Sequence, residues 1–204
     1  MNIVPRRVAF IDVQNTETTA YKVLNFIVDW EKLYDYLVTR WNCEQVYFYP
    51  GIQHGDDVRG EEFNKLVAKG AIVRPKYYYV YKKPDKLRDI TCPHCNKEFK
   101  DKLDMGFDWK CNCDVELTVD VLNHAAKGFE LMLFTGDGDF EFLIKKVLEK
   151  EAEVAVISSA EMIKKGPKYS SSRLSTKLRN MTNETGSGVK FIEMKNIKFR
   201  ISKD

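Results

Sequence analysis

No run in this chain is apolar for long enough to cross a bilayer, which takes about 20 consecutive residues. The first residues also lack the charged-then-apolar layout of a secretory leader. The expected setting is the cytoplasm, without a membrane partner. Internal repeats are missing, so a solenoid or propeller is not expected. Nor does one sign of charge dominate, since the net value is only +3. That small value hides an asymmetry: Glu161 to Asp204 carries eleven Lys or Arg against four acids, about +7, leaving the first 160 residues at about −4. An acidic body with a basic tail suits a polyanion held beside an acidic site, although a plain solvated basic surface has the same composition. In a reducing compartment the five cysteines are expected as thiols, either metal ligands or core residues, rather than as disulfides.

At 204 residues, 44% apolar and 31% charged, the chain has the make-up of one globular domain over residues 1–204, or of one domain with an insertion. Its organising stretch is Glu130 to Ser158. Leu131 to Phe134 is an unbroken apolar run, the pattern of a strand buried on both faces of a parallel sheet. Thr135-Gly136-Asp137-Gly138-Asp139 then sets two glycines and two carboxylates in a turn. Phe140, Phe142, Leu143, Ile144, Val147 and Leu148 follow at helical spacing, and Val154 to Ile157 is a second apolar run.

Upstream, Val8 to Ile11 reads as a buried strand ending on Asp12-Val13-Gln14-Asn15. A polar break is expected from Thr16 to Tyr21. A helix is expected from Val23 to Trp41, with Phe26, Ile27, Trp30, Leu33 and Leu37 on one face. Glu44 to Tyr49 reads as a strand, Gly55-Asp56-Asp57 opens a helix to about Lys69, and Ala71 to Lys83 reads as a third strand. The alternation is interrupted at 84–113 and resumes with a helix from Asp114 to Lys127. After the central stretch come a Ser-rich break from Tyr169 to Ser172, a basic helix near Arg173 to Met181, and an apolar segment from Val189 to Ile201. This basic C-terminal segment, 161–204, is expected to pack on or flank the domain. The alternation predicts an α/β fold, a three-layer α/β/α sandwich around a mainly parallel, Rossmann-like sheet.

Asp12 ends the first strand, Asp137 and Asp139 follow a later one, and Asp114 opens the helix before that later strand. If those strands are parallel neighbours, the four carboxylates meet at the sheet edge where open α/β sheets bind ligands. Plain alternatives exist: Asp139 as a helix N-cap and Asp137 as a turn residue. Clustered carboxylates raise one another's pKa, and a divalent cation relieves that repulsion. Oxygen-only ligands favour Mg²⁺ or Mn²⁺ over zinc. Such an ion activates water and stabilises charge on a phosphodiester under attack.

DVQN at 12–15, DVELTVDVL at 114–122 and TGDGDFEFLIKKVLEKEAEVAVI at 135–157 resemble an NYN domain, a branch of the PIN-like nucleases, in order and spacing across most of residues 6–158. The resemblance implies a PIN-like fold and a metal site of Asp12, Asp114, Asp137 and Asp139. It also implies that Asn15 is the polar residue beside that site, with Asp120 as a further candidate. The family carries a lysine shortly before its helix-opening aspartate. Here Lys110 stands one residue further from Asp114, with Cys111 and Cys113 in the gap. Gly138 takes the place of a serine common between the two loop aspartates, which should leave the carboxylates in place.

Cys92-Pro93-His94-Cys95 and Cys111-Asn112-Cys113 are paired cysteines across a loop of fifteen residues. That pattern predicts a zinc-ribbon-like module over 84–113 with a closed, structural Zn²⁺ site, for which His94 is a substitute ligand. Four unliganded thiols are the alternative, and Cys43 is expected in the core. Just before this loop, Tyr77, Tyr78, Tyr79 and Tyr81 stand among Lys76, Lys82, Lys83, Lys86 and Arg88, the mixture of rings and cations that holds single-stranded nucleic acid. Alternate strand residues face opposite ways, so at least half of these tyrosines are expected in the core. Phe99, Phe107 and Trp109 either cover the zinc or stack on bases.

Together these features point to a metal-dependent endoribonuclease. The zinc module, Lys110 and the basic tail with Arg173, Lys177 and Arg179 would hold the RNA, single-stranded or structured. A homodimer stays open as an assembly. A catalytically silent RNA-binding module would keep the aromatic and basic residues but has little use for four aspartates. A metal-dependent phosphatase would place two aspartates close together after its first strand, where Gln14 and Asn15 stand here.

Overall fold

A computed structural model describes residues 5–164 and 170–203. The first strand, β1 (Arg6–Asp12), passes directly into α1 (Val13–Lys22), followed by α2 (Trp30–Thr39) and β2 (Cys43–Tyr49). Next come β3 (Gly51–Ile52), α3 (Asp57–Ala68), β4 (Ile72–Val73) and β5 (Lys76–Tyr77). The interruption contains β6 (Tyr79–Lys82), β7 (Lys86–Thr91), β8 (Glu98–Leu103) and β9 (Phe107–Lys110). Then follow α4 (Asp114–His124), β10 (Phe129–Phe134), a 3₁₀ turn at Gly138–Phe140, α5 (Glu141–Glu149) and β11 (Glu153–Ser158). A small pair, β12 (Ile163–Lys164) with β13 (Ser170–Ser171), precedes α6 (Thr176–Asn183), β14 (Val189–Glu193) and α7 (Lys198–Ile201).

Six strands form one sheet in the order β14-β11-β10-β1-β2-β4, and every pairing in it is parallel. Because successive side chains of a strand point to opposite faces, each central strand feeds two cores. Val8, Phe10, Leu131 and Leu133 pack with Leu117 of α4, Ile144 of α5 and Leu178 of α6. Ala9, Ile11, Met132 and Phe134 pack with Ala20 of α1, Leu33 of α2, Phe63 of α3 and Ile201 of α7. This is the three-layer α/β/α sandwich expected from the alternation. The basic tail is part of it, since β14 is an edge strand of the sheet. No helix among the described residues is long and apolar enough to cross a membrane.

The structure departs from expectation in three places. The polar stretch Thr16 to Tyr21 lies inside α1. Asp12 caps this helix by accepting the Asn15 amide at 3.0 Å, and its buried face includes Thr16 and Thr19. Their hydroxyls are satisfied locally, Thr16 Oγ1 donating to Phe134 O at 3.3 Å and Thr19 Oγ1 to Asn15 O at 2.8 Å, which lets threonines stand where aliphatic residues would be sought. Conversely, the expected helix from Val23 begins only at Trp30, where Asp29 accepts the Lys32 amide; before it, Asn25 has a positive φ of 51°.

The third departure is the strand expected from Ala71 to Lys83, which is divided. Only β4 joins the main sheet, Pro75 supplies no amide for a continuous ladder, β5 pairs with β3, and β6 leaves to pair with β9. Tyr77, Tyr79 and Tyr81 are exposed instead of half of them being core; only Tyr78 turns inward, its ring lying where a Cβ on Gly51 would come within 2.7 Å. The Ser-rich break at 169–172 falls partly outside the described residues.

One buried charge sits at the opposite edge of the sheet from the strand ends. Glu130 is 4% exposed and binds Arg7 at 2.6 Å and Lys190 at 3.1 Å. Burial opposes its ionisation, but the hydrogen bonds from Arg7 and Lys190 outweigh it and hold the carboxyl below its usual range. The triad joins β1, β10 and β14. Burial also separates two neighbours on α5 that share a helical apolar pattern: Leu143 is 4% exposed and Phe142 is 69% exposed. Leu143→Ala should therefore cost about 2–5 kcal/mol and Phe142→Ala less than about 0.5 kcal/mol, measured by urea unfolding. Equal losses would mean that α5 packs by a different face.

Candidate active site

Parallel pairing sets Ile11 opposite Phe134, so β1 and β10 end side by side and deliver Asp12 and Thr135 to the same edge. Side chains then tie the two exits together. Thr135 Oγ1 makes a long contact of 3.5 Å to Asp12 Oδ2, and Asn15 Oδ1 accepts the Gly136 amide at 3.2 Å. Asp137 accepts the Asp139 amide at 3.0 Å and so caps the 3₁₀ turn, while its own amide donates to Thr135 Oγ1 at 3.2 Å. Across from them Asp114 opens α4, its amide donating to Asn112 Oδ1 at 2.6 Å and its carboxylate accepting from Asn112 Nδ2 at 2.8 Å. An acidic first turn suits the positive end of a helix.

Asp12, Asn15, Asp114 and Asp137 line one pocket of about 270 Å³, together with Asn112, Cys113 and Arg173. Asp139 is not in its wall; it is exposed beyond the rim and acts on Asp114 through its charge. None of these four aspartates is ion-paired with Lys or Arg among the described residues. Burial, opposed by the Asn15 amide and reinforced by the charges of Asp114 and Asp137, pushes the Asp12 carboxyl up to about 6. Asp114 is raised as well, by burial first, against the Asn112 hydrogen bond, and then by Asp137 and Asp139. Asp120, also considered from the sequence, accepts from Tyr49 at 3.0 Å and Arg74 at 3.1 Å and is outside the pocket wall.

The basic residues divide. Arg173 reaches the pocket because its chain lies against Gly136: a Cβ there would come within 2.1 Å of Arg173 O, and Ser175 N donates to Gly136 O at 2.9 Å. Its guanidinium donates to Thr19 Oγ1 at 3.2 Å. Lys177 stands near Gly138 and pairs with Glu141 at 3.6 Å. Arg179 turns inward and donates to Ala160 O at 3.4 Å and Ser172 Oγ at 2.9 Å, a tie within the fold. Lys110 lies over the Tyr81 ring at 5.6 Å, in the neighbouring groove rather than in the acidic pocket. A second cation, beside the pocket, is Lys76, which donates to Asn112 O at 2.9 Å, pairs with Glu116 at 2.8 Å and partly offsets the rise of the Asp114 pKa through its charge. Nothing in its spacing from Asp114, 38 positions on, marks that role in the sequence.

The cysteines also separate. Cys92 and Cys95 occupy the turn between β7 and β8, whereas Cys111 and Cys113 follow β9 at the pocket. The ribbons β7–β8 and β6–β9 lie in series between the two pairs. The four thiols expected from the spacing as one zinc site are therefore not brought together among the described residues. Among the described residues, no group of three or more His, Cys, Asp or Glu side chains is gathered tightly enough to hold a metal ion. Burial pushes the Cys113 thiol up to about 12, so it faces the pocket as a neutral thiol. Cys43 is buried, as expected.

The raised Asp12 pKa has a consequence for stability. The folded protein keeps a proton on Asp12 that the unfolded chain has released, so this residue's contribution falls as pH rises from about 4 to about 6 and stays lost above that. A rise of this size is worth about 2–3 kcal/mol. In EDTA, Asp12→Asn, which keeps the helix cap, should melt at nearly the wild-type temperature near pH 4 and increasingly above it towards pH 7. A gap that does not change with pH would show that the carboxylate is not strained.

The NYN domain family profile matches residues 7–176. The chain is 28% identical over 162 residues to the low amplitude and bright protein LabA of Synechococcus elongatus, covering 78% of this chain and 77% of that one. A crystal structure of a protein of unknown function from Vibrio parahaemolyticus superposes with a TM-score of 0.56 at 16% identity, over 95% of each chain, which is likeness of fold. The strand-end aspartates and the helix that opens on Asp114 lie inside the matched span, and the chain belongs to the NYN domain family, whose PIN-like members are in general nuclease-like and RNA-related.

Proposed function

We propose that this protein is a metal-dependent endoribonuclease, acting in the cytoplasm, with its reaction centre in the acidic pocket. The observation that carries this reading is a carboxylate cluster without an ion pair among the described residues: Asp12, Asp114 and Asp137 line one pocket, and burial, reinforced by the charges of Asp114 and Asp137, raises Asp12 to about 6. A fold with no ligand for that place gains nothing from such repulsion.

The donor chemistry fits a hard divalent cation. The carboxylates and the Asn15 amide present oxygen, and the two thiols in the wall, Cys111 and Cys113, are both pushed up by burial and so neutral. Asp12, Asp114 and Asp137 line the pocket but, as they stand, are not gathered tightly enough to close on one ion, so they would hold Mg²⁺ or Mn²⁺ only by drawing in on it, with Asp139 adding charge from outside the wall. Such an ion, when bound, supplies an activated water and neutralises charge on a phosphodiester. The chain's own residues do the positioning. Asn15 and Thr135 fix the loop that carries Asp137, Asn112 fixes Asp114, and Arg173 puts a cation in the wall where a phosphate oxygen would lie.

Labelled single-stranded RNA, duplex RNA and DNA, incubated with Mn²⁺, Mg²⁺ or EDTA, test the reading. RNA should be cut internally only with the metal. Asp12→Asn and Asp137→Asn should each lower the rate by roughly 100-fold or more. Both should also weaken Mn²⁺ binding measured by calorimetry. Wild-type rates in both variants would remove the acidic pocket from the chemistry.

A further inference from the structure

We propose that the exposed tyrosines Tyr77, Tyr79 and Tyr81 form a stacking subsite for unpaired RNA bases next to the acidic pocket; this rests on the ribonuclease reading. Tyr77, Tyr79 and Tyr81 are 58%, 74% and 47% exposed, three large rings within five residues, far from the burial such side chains normally seek. They are arranged, not scattered. The His54 and Tyr77 rings stack with centroids 4.1 Å apart and planes 8° from parallel, a preformed two-ring shelf. On β6, Tyr79 and Tyr81 share a face, with Lys110 opposite Tyr79 and its ammonium 5.6 Å from the Tyr81 ring.

These side chains and Lys76 line a groove of about 510 Å³. Cys111 and Asn112 wall both this groove and the acidic pocket, so the two adjoin and a strand cut in one would have the other beside it. Charge agrees. Lys110 has no carboxylate partner among the described residues, and Asp108, opposite Tyr81, is taken up by Lys83 at 4.0 Å. A groove with free aromatic faces and an unpaired cation fits a polyanion with exposed flat rings, which is single-stranded nucleic acid. A duplex hides its base faces in its own stack. The groove thus sets a preference for substrate that is single-stranded beside the cut.

Binding can be read apart from cleavage. Fluorescence anisotropy in EDTA would follow a labelled RNA of roughly 10 nucleotides, single-stranded or as a duplex. The proteins compared are the wild type, Tyr79→Ala with Tyr81→Ala, and Tyr79→Phe with Tyr81→Phe, each checked for its fold by circular dichroism. The alanine pair should weaken single-strand binding by about five-fold to a hundred-fold per ring, and the phenylalanine pair should bind as the wild type does. Lys110→Ala should flatten the salt dependence. Unchanged affinity in the alanine pair, with Asp12-dependent cleavage intact, would overturn the subsite and leave the nuclease reading standing. Equal loss on duplex and single strand would overturn base stacking. A wild-type protein that binds no RNA would remove both proposals.

Discussion

The parallel pairing of β1 with β10 is the constraint on which the rest depends. Ile11 opposite Phe134 means that the next residues on both strands leave the sheet at one point. Backbone amides there have lost their ladder partners, and the side chains of Asp12, Asn15 and Thr135 take them up. The same groups that satisfy the exits thereby fix the loop carrying Asp137. Capping and site construction are not alternatives in this protein. Asp12 holds the first turn of α1 with one carboxylate oxygen and faces the pocket, and Asp137 caps a 3₁₀ turn while lining the same wall.

That placement accumulates negative charge at one end of a sheet whose other end is neutralised. Glu130 at the far edge is as buried as any carboxylate among the described residues, but Arg7 and Lys190 hold it ionised. Asp12 has no such partner among the described residues, and its pKa moves in the opposite direction. Two carboxylates on neighbouring strands thus differ because one has cationic donors that outweigh its burial, whereas for the other the desolvation is reinforced by like charge. The first stabilises the sheet on its own. The second leaves a cost that a proton relieves below about pH 6, and Gly136 completes the arrangement by admitting the chain that brings Arg173 to the pocket wall.

Much of this was legible in the sequence because it depends on short-range pattern. Apolar runs ending on Asp12 and on Thr135-Gly136-Asp137 marked the strands, and the alternation of elements marked the sandwich. What misled was context that spacing does not carry. Thr16 and Thr19 look like a break because their hydroxyls are polar, yet each is satisfied by a carbonyl and buried. Phe142 fits the helical stripe of α5 but stands in solvent. Four cysteines in two pairs suggested one ion, but spacing along a chain says nothing of whether a ribbon between the pairs is folded back or extended. Here it is two ribbons in series. The place of Lys76 beside Asp114 is not legible in the sequence, because its neighbours Asn112 and Glu116 come from the far side of the insertion.

The insertion is fastened to the fold at its two ends, and both fastenings are at the acidic pocket. On the way out, Tyr78 packs over Gly51, which lines that pocket. On the way back, Asn112 binds Asp114 through two hydrogen bonds and receives one from Lys76. The turn carrying Cys92 and Cys95 is the part of these ribbons furthest along the chain from both fastenings, whereas Tyr77 and Asn112 stand next to them. Exposed rings on the outer part of such a ribbon would be poorly placed to orient anything. Tyr77, Tyr79 and Tyr81 instead lie within a few residues of the attachment, where position is inherited from the sheet. The aromatic groove is therefore as well positioned relative to Asp114 as the fastening through Asn112 and Lys76 allows.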